Sequence, residues 1–216
     1  MSRIVQEGNL HFRRVRGRQS SLVVPTHSQI VNGEVDVKEH YDWKEDYVKL
    51  PSGIYVSRQG TLLGNYNQVE STLRERIKPS EFVELLRYAR ENNSDLYNGI
   101  TEGRSPCPWK SEFIGARFKK KEDGMYMITR DGEEKLDEDT LMEDKTPGIS
   151  LESWIENPTK QGFPRKNVNK GSLYFWHPRD NSVARFDADS GSADLYCGGN
   201  PSDRDLSFGV RAVRRE

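Results

Sequence analysis

The chain has 216 residues, and its 33 lysines and arginines nearly balance 34 aspartates and glutamates, for a formal net charge of −1. The length favours one domain with elaborations or two small ones, and the near-zero charge argues against a chain-wide field for binding nucleic acid. Hydrophobic residues make up only 33%, but aromatic residues reach 10% and the charges cancel, which indicates a folded, loop-rich protein. No apolar stretch approaches a membrane helix, and the first residues lack the apolar core of a secretory signal. We therefore expect no membrane insertion and, by default, a cytoplasmic protein.

The first half of the chain predicts an irregular extension followed by a strand and two helices. The extension covers about residues 1–50 and includes a basic run at 11–18, which is typical of a solvated arm but could also contact phosphate. Alternation of apolar and polar residues predicts a strand at 53–57. Apolar residues at helical spacing predict one helix over 68–77 and another from Pro79 to about 93, where proline suits the first turn.

The following residues, up to 176, predict mostly strands. Phe113–Phe118 has the apolar character of a strand, and the Asp131-Gly132 pair predicts the tight turn of a hairpin. Acidic residues without a strong apolar period predict an exposed insertion over about 133–147. Ser150 is suited to cap a short helix, and Leu173–Trp176 predicts a buried strand.

Neither a metal site nor a disulfide framework is indicated by the sequence. Two cysteines, Cys107 and Cys197, are too few for such a framework, and no CxxC spacing is present. Ordinary thiols are the simplest interpretation, and whether the two pair remains open. The Asp187-Ala188-Asp189 segment suggests calcium, but a loop that begins there lacks the glycine and glutamate of an EF-hand. We therefore predict no metal, no cofactor and no catalytic residue.

Residues 177–210 form a segment of different composition. They contain no lysine, glutamate, glutamine, methionine or tryptophan, and they are rich in aspartate, serine, glycine, arginine and asparagine. Codons that end in C cannot encode any of the five missing residues. Randomising the first two bases of AAC codons would leave this same gap, while a turn-rich surface of low complexity is the alternative explanation.

This segment also alternates with a period of two. Val183–Ser190 places Phe186 and Ala188 between aspartates, and Ala193–Gly198 places small or apolar residues between polar ones. A period of two predicts strands with one buried face, and a last strand of this kind is predicted over 206–212.

Four short motifs in the C-terminal half carry a more specific signal: Pro164–Val168, Leu173–Pro178, Val183–Phe186 and Phe208–Arg214. Together they resemble the variable proteins of diversity-generating retroelements, most closely the archaeal group from nanoarchaea, and the resemblance covers about residues 79–216. In that family a reverse transcriptase copies a template RNA with errors at adenines, and the copy replaces a C-terminal variable region. The resemblance implies an α+β, C-type lectin-like fold of the formylglycine-generating-enzyme-like subclass. It would have mixed, mostly antiparallel sheets and two main helices in one domain.

The resemblance further implies a ligand-binding protein, not an enzyme, whose partners are variable macromolecules, chiefly proteins. The buried scaffold would be Ala184, Phe186, Ala188, Ala193, Leu195, Cys197, Leu206, Phe208 and Val210. The exposed, diversified positions would be Arg179, Asp180, Asn181, Asp187, Asp189, Gly191, Ser192, Asp194, Tyr196, Gly198, Gly199, Asn200, Ser202, Asp203, Arg204, Asp205 and Ser207. Tyr196, Arg179 and Arg204 would be the anchors, because tyrosine and arginine are enriched at binding hot spots. We expect no nucleic-acid partner and favour a monomer.

Two other functions stay open. One is a calcium-independent, carbohydrate-binding lectin-like module, since the Glu-Pro-Asn, Gln-Pro-Asp and Trp-Asn-Asp motifs of calcium-dependent lectins are missing. The other is an enzyme of the formylglycine-generating type, which would use Cys197 or His177. The wide separation of Cys107 from Cys197 argues against it, because such enzymes use two cysteines a few residues apart.

Overall fold

The computed structural model describes residues 30–31, 34–35, 43–62, 65–67, 70, 76–103, 111–189, 191–203 and 208–215. The chain divides into two compact units, 1–41 and 42–216. In the first unit the described residues form one antiparallel pair, β1 (Ile30–Val31) and β2 (Glu34–Val35). The basic run at 11–18, most of the predicted helix at 68–77, and Cys107 lie outside the described residues.

The second unit begins earlier than the predicted end of the extension at about residue 50. A 3₁₀ helix at Trp43–Asp46 leads into β3 (Tyr47–Lys49), and Val48 and Leu50 are buried in the core. Residues 42–50, which the prediction assigned to the extension, fall within this unit, and a three-residue strand such as β3 offers almost no period to detect. The extension therefore ends at about Tyr41.

The remaining elements of the second unit whose bounds are described are eleven strands and three helices, and residues 66, 67 and 70 are also helical. The strands are β4 (Tyr55–Ser57), β5 (Thr61–Leu62), β6 (Ser111–Lys121), β7 (Gly124–Thr129), β8 (Gly132–Lys135), β9 (Lys145–Ile149), β10 (Leu173–Trp176), β11 (Val183–Ala188), β12 (Ala193–Gly199), β13 (Phe208–Val210) and β14 (Val213–Arg214). The helices are α1 (Pro79–Asn92), α2 (Ser94–Glu102) and α3 (Leu151–Glu156).

Most strands belong to one mixed sheet. Its order is β5-β13-β6-β11-β12-β10-β9, and β7 and β8 extend the long strand β6 as hairpins. The pairs β13–β6 and β10–β12 are parallel, whereas the other pairs in the sheet are antiparallel. A smaller sheet has the order β14-β4-β3. This arrangement confirms the predicted α+β class with mostly antiparallel sheets.

A buried ion pair joins Arg211, which follows β13, to Glu112 of β6. Arg211 is fully buried, and its Nε lies 2.8 Å from Glu112 Oε1. The same guanidinium donates to the carbonyl of Ser57 at 2.9 Å. In its described part the strand predicted over 206–212 ends at Val210, because β13 belongs to the main sheet and the chain continues after the buried Arg211 into β14 of the smaller sheet.

Helix α1 begins and ends close to the predicted bounds. Pro79 occupies its first turn, and the Glu81 carboxylate accepts a hydrogen bond from the Lys78 backbone N–H at 3.1 Å. Helix α2 follows at once, and Gly103 ends it in the left-handed conformation at φ 63°. A Cβ on Gly103 would lie 2.7 Å from the Ala188 carbonyl oxygen. Glycine therefore allows α2 to end directly against β11.

The two faces of the main sheet are covered differently. On one face the main core includes Phe186 of β11, whose ring centroid lies 5.4 Å from that of Phe82 in α1 and 6.3 Å from that of Trp154 in α3. The second core, on the other face, consists of Tyr66, Phe113, Val183, Phe208 and Val210. Among the described residues it covers the β6 and β13 side, whereas the outward residues of β10, of β12 and of β11 beyond Val183 keep part of their surface exposed.

Three other local predictions need correction. The segment 133–147 is exposed along β8, but Leu136 and Leu141 are buried and β9 joins the main sheet, so it is not a separate insertion. Strand β10 is buried on one face only. The helix predicted to reach residue 77 ends earlier, since Arg76 forms a β-bridge with Ala212.

Candidate ligand-binding face

The alternation predicted for the tail is confirmed in β11 and β12. Phe186 is 2% exposed, and Ala188, Leu195 and Cys197 are also buried in the main core. The intervening residues point to the opposite side and keep part of their surface exposed. Phe186 and Leu195 are direct cross-strand partners, so the buried residues of the two strands form one layer.

The register of the sheet brings the outward residues into two rows. The first row runs across the strands through Tyr174, Asp194, Asp187 and Ser111. The second runs through Trp176, Tyr196, Arg185 and Phe113. Cross-strand partners project to the same side with Cβ atoms about 5 Å apart. The open face is defined here as the partly exposed residues Tyr174, Trp176, Arg185, Asp187, Asp194, Tyr196 and Gly198.

Arg185 lies at the border between the open face and the second core. Its guanidinium carbon lies 4.6 Å from the centroid of the Tyr196 ring and 5.0 Å from that of the Phe208 ring. Its Nε lies 3.0 Å from Asp187 Oδ2, and the side chain is only 17% exposed. One guanidinium is thus held between two aromatic rings with a carboxylate at its edge, an arrangement that favours a cation.

The two aspartates of the first row have different surroundings. Asp187 accepts hydrogen bonds from Arg185 and from the Ser111 hydroxyl. Asp194, its cross-strand partner, accepts none from the described residues, and its Oδ1 is buried. Burial raises the pKa of Asp194 above its ordinary value, the negative charges of Asp187 and Asp189 raise it further, and Arg185 opposes them. Within the described residues, Asp194 is therefore a carboxyl group without a hydrogen-bond donor.

Aromatic rings line the β10 side of the open face. Trp176 and Tyr196 pack edge to face with their ring centroids 5.7 Å apart. Tyr174 is 39% exposed, and among the described residues only Met142 is a comparably exposed large hydrophobic side chain. Tyr174 and Asp194 are cross-strand partners in the parallel pair of β10 and β12, so their side chains project from neighbouring positions.

A second anchored group lies at the other end of β12. Asp144 accepts a hydrogen bond from the His177 backbone N–H at 3.0 Å, and its Oδ1 lies 2.7 Å from the ring Nδ1 of His177. Its Oδ2 lies 2.8 Å from the Arg179 guanidinium. Burial alone would raise the pKa of Asp144, but the His177 hydrogen bonds and the Arg179 charge hold it below its ordinary value. Arg179 is thereby held next to Gly198, where a Cβ would lie 3.5 Å from its Cδ.

Several predicted site residues form turns instead of the open face. Asp189 accepts hydrogen bonds from the backbone N–H groups of Gly191 and Ser192, at 2.8 and 2.9 Å. Asn200 in the same way accepts from Ser202 at 2.9 Å. Such Asx turns stabilise loops. These residues and Asp203 are exposed, and their turns follow β11 and β12, so they border the strands that carry the open face.

The Asp180-Asn181 turn lies at the opposite end of β11. Asp180 accepts a hydrogen bond from the Lys120 backbone N–H at 2.8 Å, and Asn181 has a positive φ of 57°. Asparagine tolerates this conformation better than most residues. Both side chains are exposed, but they help to shape a turn against β6.

Gly199 corrects the predicted set. It is buried, and a Cβ there would lie 3.1 Å from the Val183 carbonyl oxygen. Alternation predicts a buried Cys197 and an exposed Gly198. Gly199 was predicted to be exposed as well, but it is the cross-strand partner of Val183. The remaining predicted positions Arg204, Asp205 and Ser207 lie outside the described residues.

Besides the buried Phe113, four residues of the two rows were not predicted as site residues. Arg185 has the same parity as Asp187, so alternation alone was a sufficient signal for it. Tyr174 and Trp176 were hidden because four consecutive aromatic or aliphatic residues resemble a wholly buried strand. Ser111 is 76 positions from Asp187, its hydrogen-bond partner, and carries no local signal.

Chemical features beyond binding are few in the described part of the chain. No group of three or more histidine, cysteine, aspartate or glutamate residues there is arranged to hold a metal ion. Burial raises the pKa of the Cys197 thiol well above its ordinary value, which disfavours the thiolate that a nucleophile needs. Among the same residues, none of the helices has the length and apolar character to cross a membrane.

Comparisons with protein-family models, curated proteins and solved structures find no match.

Proposed function

We propose that this chain is a ligand-binding protein of the C-type lectin-like class, and that the open face with its bordering turns is a surface diversified by a retroelement. The observation that carries the proposal is the coincidence of two independent properties in residues 177–210. Their composition lacks every residue that a C-ending codon cannot encode, and their strands β11 and β12 supply most of the open face.

The packing beneath this surface supports tolerance to change. Phe186 and Leu195 are buried in the main core, so the strands are held from one side and the other side can vary. Partly exposed residues away from specific contacts change stability little when substituted. Asp187 is an exception, because Ser111 and Arg185 both bind its carboxylate.

The constant part of the surface would be aromatic. Tyr174 and Trp176 precede residue 177, and tryptophan is one of the five residues that a C-ending codon cannot encode. These rings therefore form a fixed border next to variable positions. The combination resembles antibody paratopes, in which rigid aromatic anchors accompany small, adaptable polar residues.

The DNA around the gene tests the retroelement origin. We expect a reverse transcriptase gene nearby and a near-copy of the sequence that encodes residues 177–210. The two copies should differ at adenines of the template, in codons for outward residues such as Asp194 and Tyr196. A copy whose differences fall equally in the codons for Phe186 and Leu195 would contradict the proposal.

A pair of matched libraries tests the binding function. One library randomises Asp194, Tyr196 and Gly198 with C-ending codons, and the control library randomises Leu195 and Cys197 of the same strand. Displayed variants are scored for protease resistance and then selected against unrelated purified proteins. We expect the outward library to remain mostly folded and to yield binders for several targets, whereas most inward variants unfold. An outward library that folds and yields no binder would refute the function.

A further inference from the structure

We infer that the open face of this variant binds an arginine side chain of a partner polypeptide, between the Tyr174 and Trp176 rings and the Asp194 carboxylate. This inference rests on the proposed function and specifies its ligand. The inference concerns the chemistry of the ligand. It starts from the way in which the face already holds one guanidinium of its own.

Arg185 is an internal example of the proposed arrangement. Its guanidinium contacts the Tyr196 and Phe208 rings, and Asp187 binds its edge. Aromatic faces and a carboxylate thus satisfy both the flat surface and the N–H groups of one arginine. Since β11 and β12 are neighbours, the same combination recurs one strand away, with Asp194 as the carboxylate and the β10 rings as the aromatic side.

In the described part of the chain, no lysine or arginine side chain is paired with the carboxylate at this second position. Asp194 accepts no hydrogen bond from the described residues, in contrast to Asp187. The nearest guanidinium along the strands, Arg185, is bound to Asp187, and Arg179 at the far end is bound to Asp144. Among the described residues, the charges of Asp187 and Asp189 act on Asp194 against that of Arg185, a negative excess that attracts a cation.

The shape of the face favours a polypeptide over a small free ligand. The three open strands span about 10 Å across, and Asp194 to Gly198 spans about 13 Å along β12. This is an open sheet surface, whereas small molecules usually need concave sites that enclose most of their area. A side chain carried by a larger partner can anchor on such a surface while the bordering turns contact the rest, and arginine is a frequent anchor of this kind.

Arginine is favoured over lysine for a geometric reason. A planar guanidinium can stack on the Tyr174 ring and still direct N–H groups to Asp194 at its edge, whereas a lysine ammonium is a compact, strongly hydrated charge. Cation–ring contacts contribute most where water is partly excluded. The half-buried Trp176 and Tyr196 beside the exposed Tyr174 provide such a border.

A random-peptide display library tests the inference on the full-length chain. We expect peptides selected on the wild type to be enriched in arginine relative to the unselected library. The enrichment should disappear when the same library is selected on Asp194→Asn. It should persist on the control variant Glu134→Gln, which removes an exposed carboxylate on β8, away from the open face.

The best selected peptide is then synthesised with arginine or with citrulline, its neutral analogue of the same shape. On the wild type we expect citrulline to weaken binding about tenfold, which corresponds to about 1.4 kcal/mol. On Asp194→Asn the two peptides should bind within about twofold of each other. Circular dichroism of each variant establishes that it is folded.

Three results overturn the inference. They are selected peptides that compete at the open face without arginine enrichment, binding of sugars instead of peptides, and failure of the library to yield any binder. In each case the proposed function is judged separately by the outward library at Asp194, Tyr196 and Gly198. If that library yields binders, only the arginine preference of this variant is lost, and if it yields none, the binding function fails as well.

Discussion

Replacing Phe186 with alanine should distinguish the buried face of β11 from its open face. The Phe186 ring is 2% exposed and lies against Phe82 of α1 and Trp154 of α3, so its loss leaves a cavity between the sheet and two helices. Phenylalanine-to-alanine changes in cores cost about 3–5 kcal/mol. In a protein of this size each kcal/mol lowers the Tm by roughly 2–4 °C, and the Tm of Phe186→Ala should fall by roughly 6–20 °C.

Thermal melts followed by far-UV circular dichroism measure this change, and urea titration gives the free energy of unfolding. The matched control is Asp194→Asn on the adjacent strand, which alters the open face without removing volume. It should melt no lower than the wild type. If Phe186→Ala melts within 2 °C of the wild type while Asp194→Asn unfolds, the two faces have been assigned the wrong way round.

Three further predictions concern single positions around the open face. Gly198→Ala should change the free energy of unfolding by less than about 0.5 kcal/mol, because the new Cβ meets the flexible Arg179 side chain. Gly199→Ala should lower the free energy of unfolding more, because its Cβ would lie close to the Val183 carbonyl oxygen. Urea titration of both variants measures the difference. The pKa of Asp194 is raised in the folded protein, so its ionisation destabilises the protein as pH rises through that pKa. Asp194→Asn should therefore raise the Tm at pH 7. The gain in Tm should shrink in acid, below the pKa values of both the folded and the unfolded state. No gain at pH 7 would show that Asp194 has a donor in solution. Asp144→Ala removes the acceptor for three hydrogen bonds and should cost about 1–3 kcal/mol, with faster amide exchange at residue 177 as the local readout.

Local rules were sufficient for those parts of the protein in which neighbours along the chain determine the structure. Pro79 and Glu81 mark the start of α1 through backbone hydrogen bonds within one turn. The two-residue period of β11 and β12 separates Phe186 and Leu195 from Asp187 and Asp194, because successive side chains of a strand point to opposite faces. The α+β class and the position of most of the tail's exposed residues follow from these patterns.

What alternation cannot supply is the partner strand. The parallel register of β10 with β12 places Tyr174 beside Asp194, and an aromatic run such as 173–176 looks buried until one face of its sheet is left uncovered. Segment 133–147 looked exposed by composition, but β9 pairs with β10. In both cases the missing information was a contact between distant parts of the chain.

From Ala184 to Gly198 the sequence by itself determined which side chains of β11 and β12 face inward, since that depends on the strand period alone. Only the tertiary structure decided what those outward residues meet. Arg185 lies between Tyr196 and Phe208, Asp187 is bound by Ser111, and Asp194 is left without a donor among the described residues. The physical reason is that burial, ion pairing and pKa depend on side chains brought together across strands, and register between distant strands is set by the packing of the whole sheet.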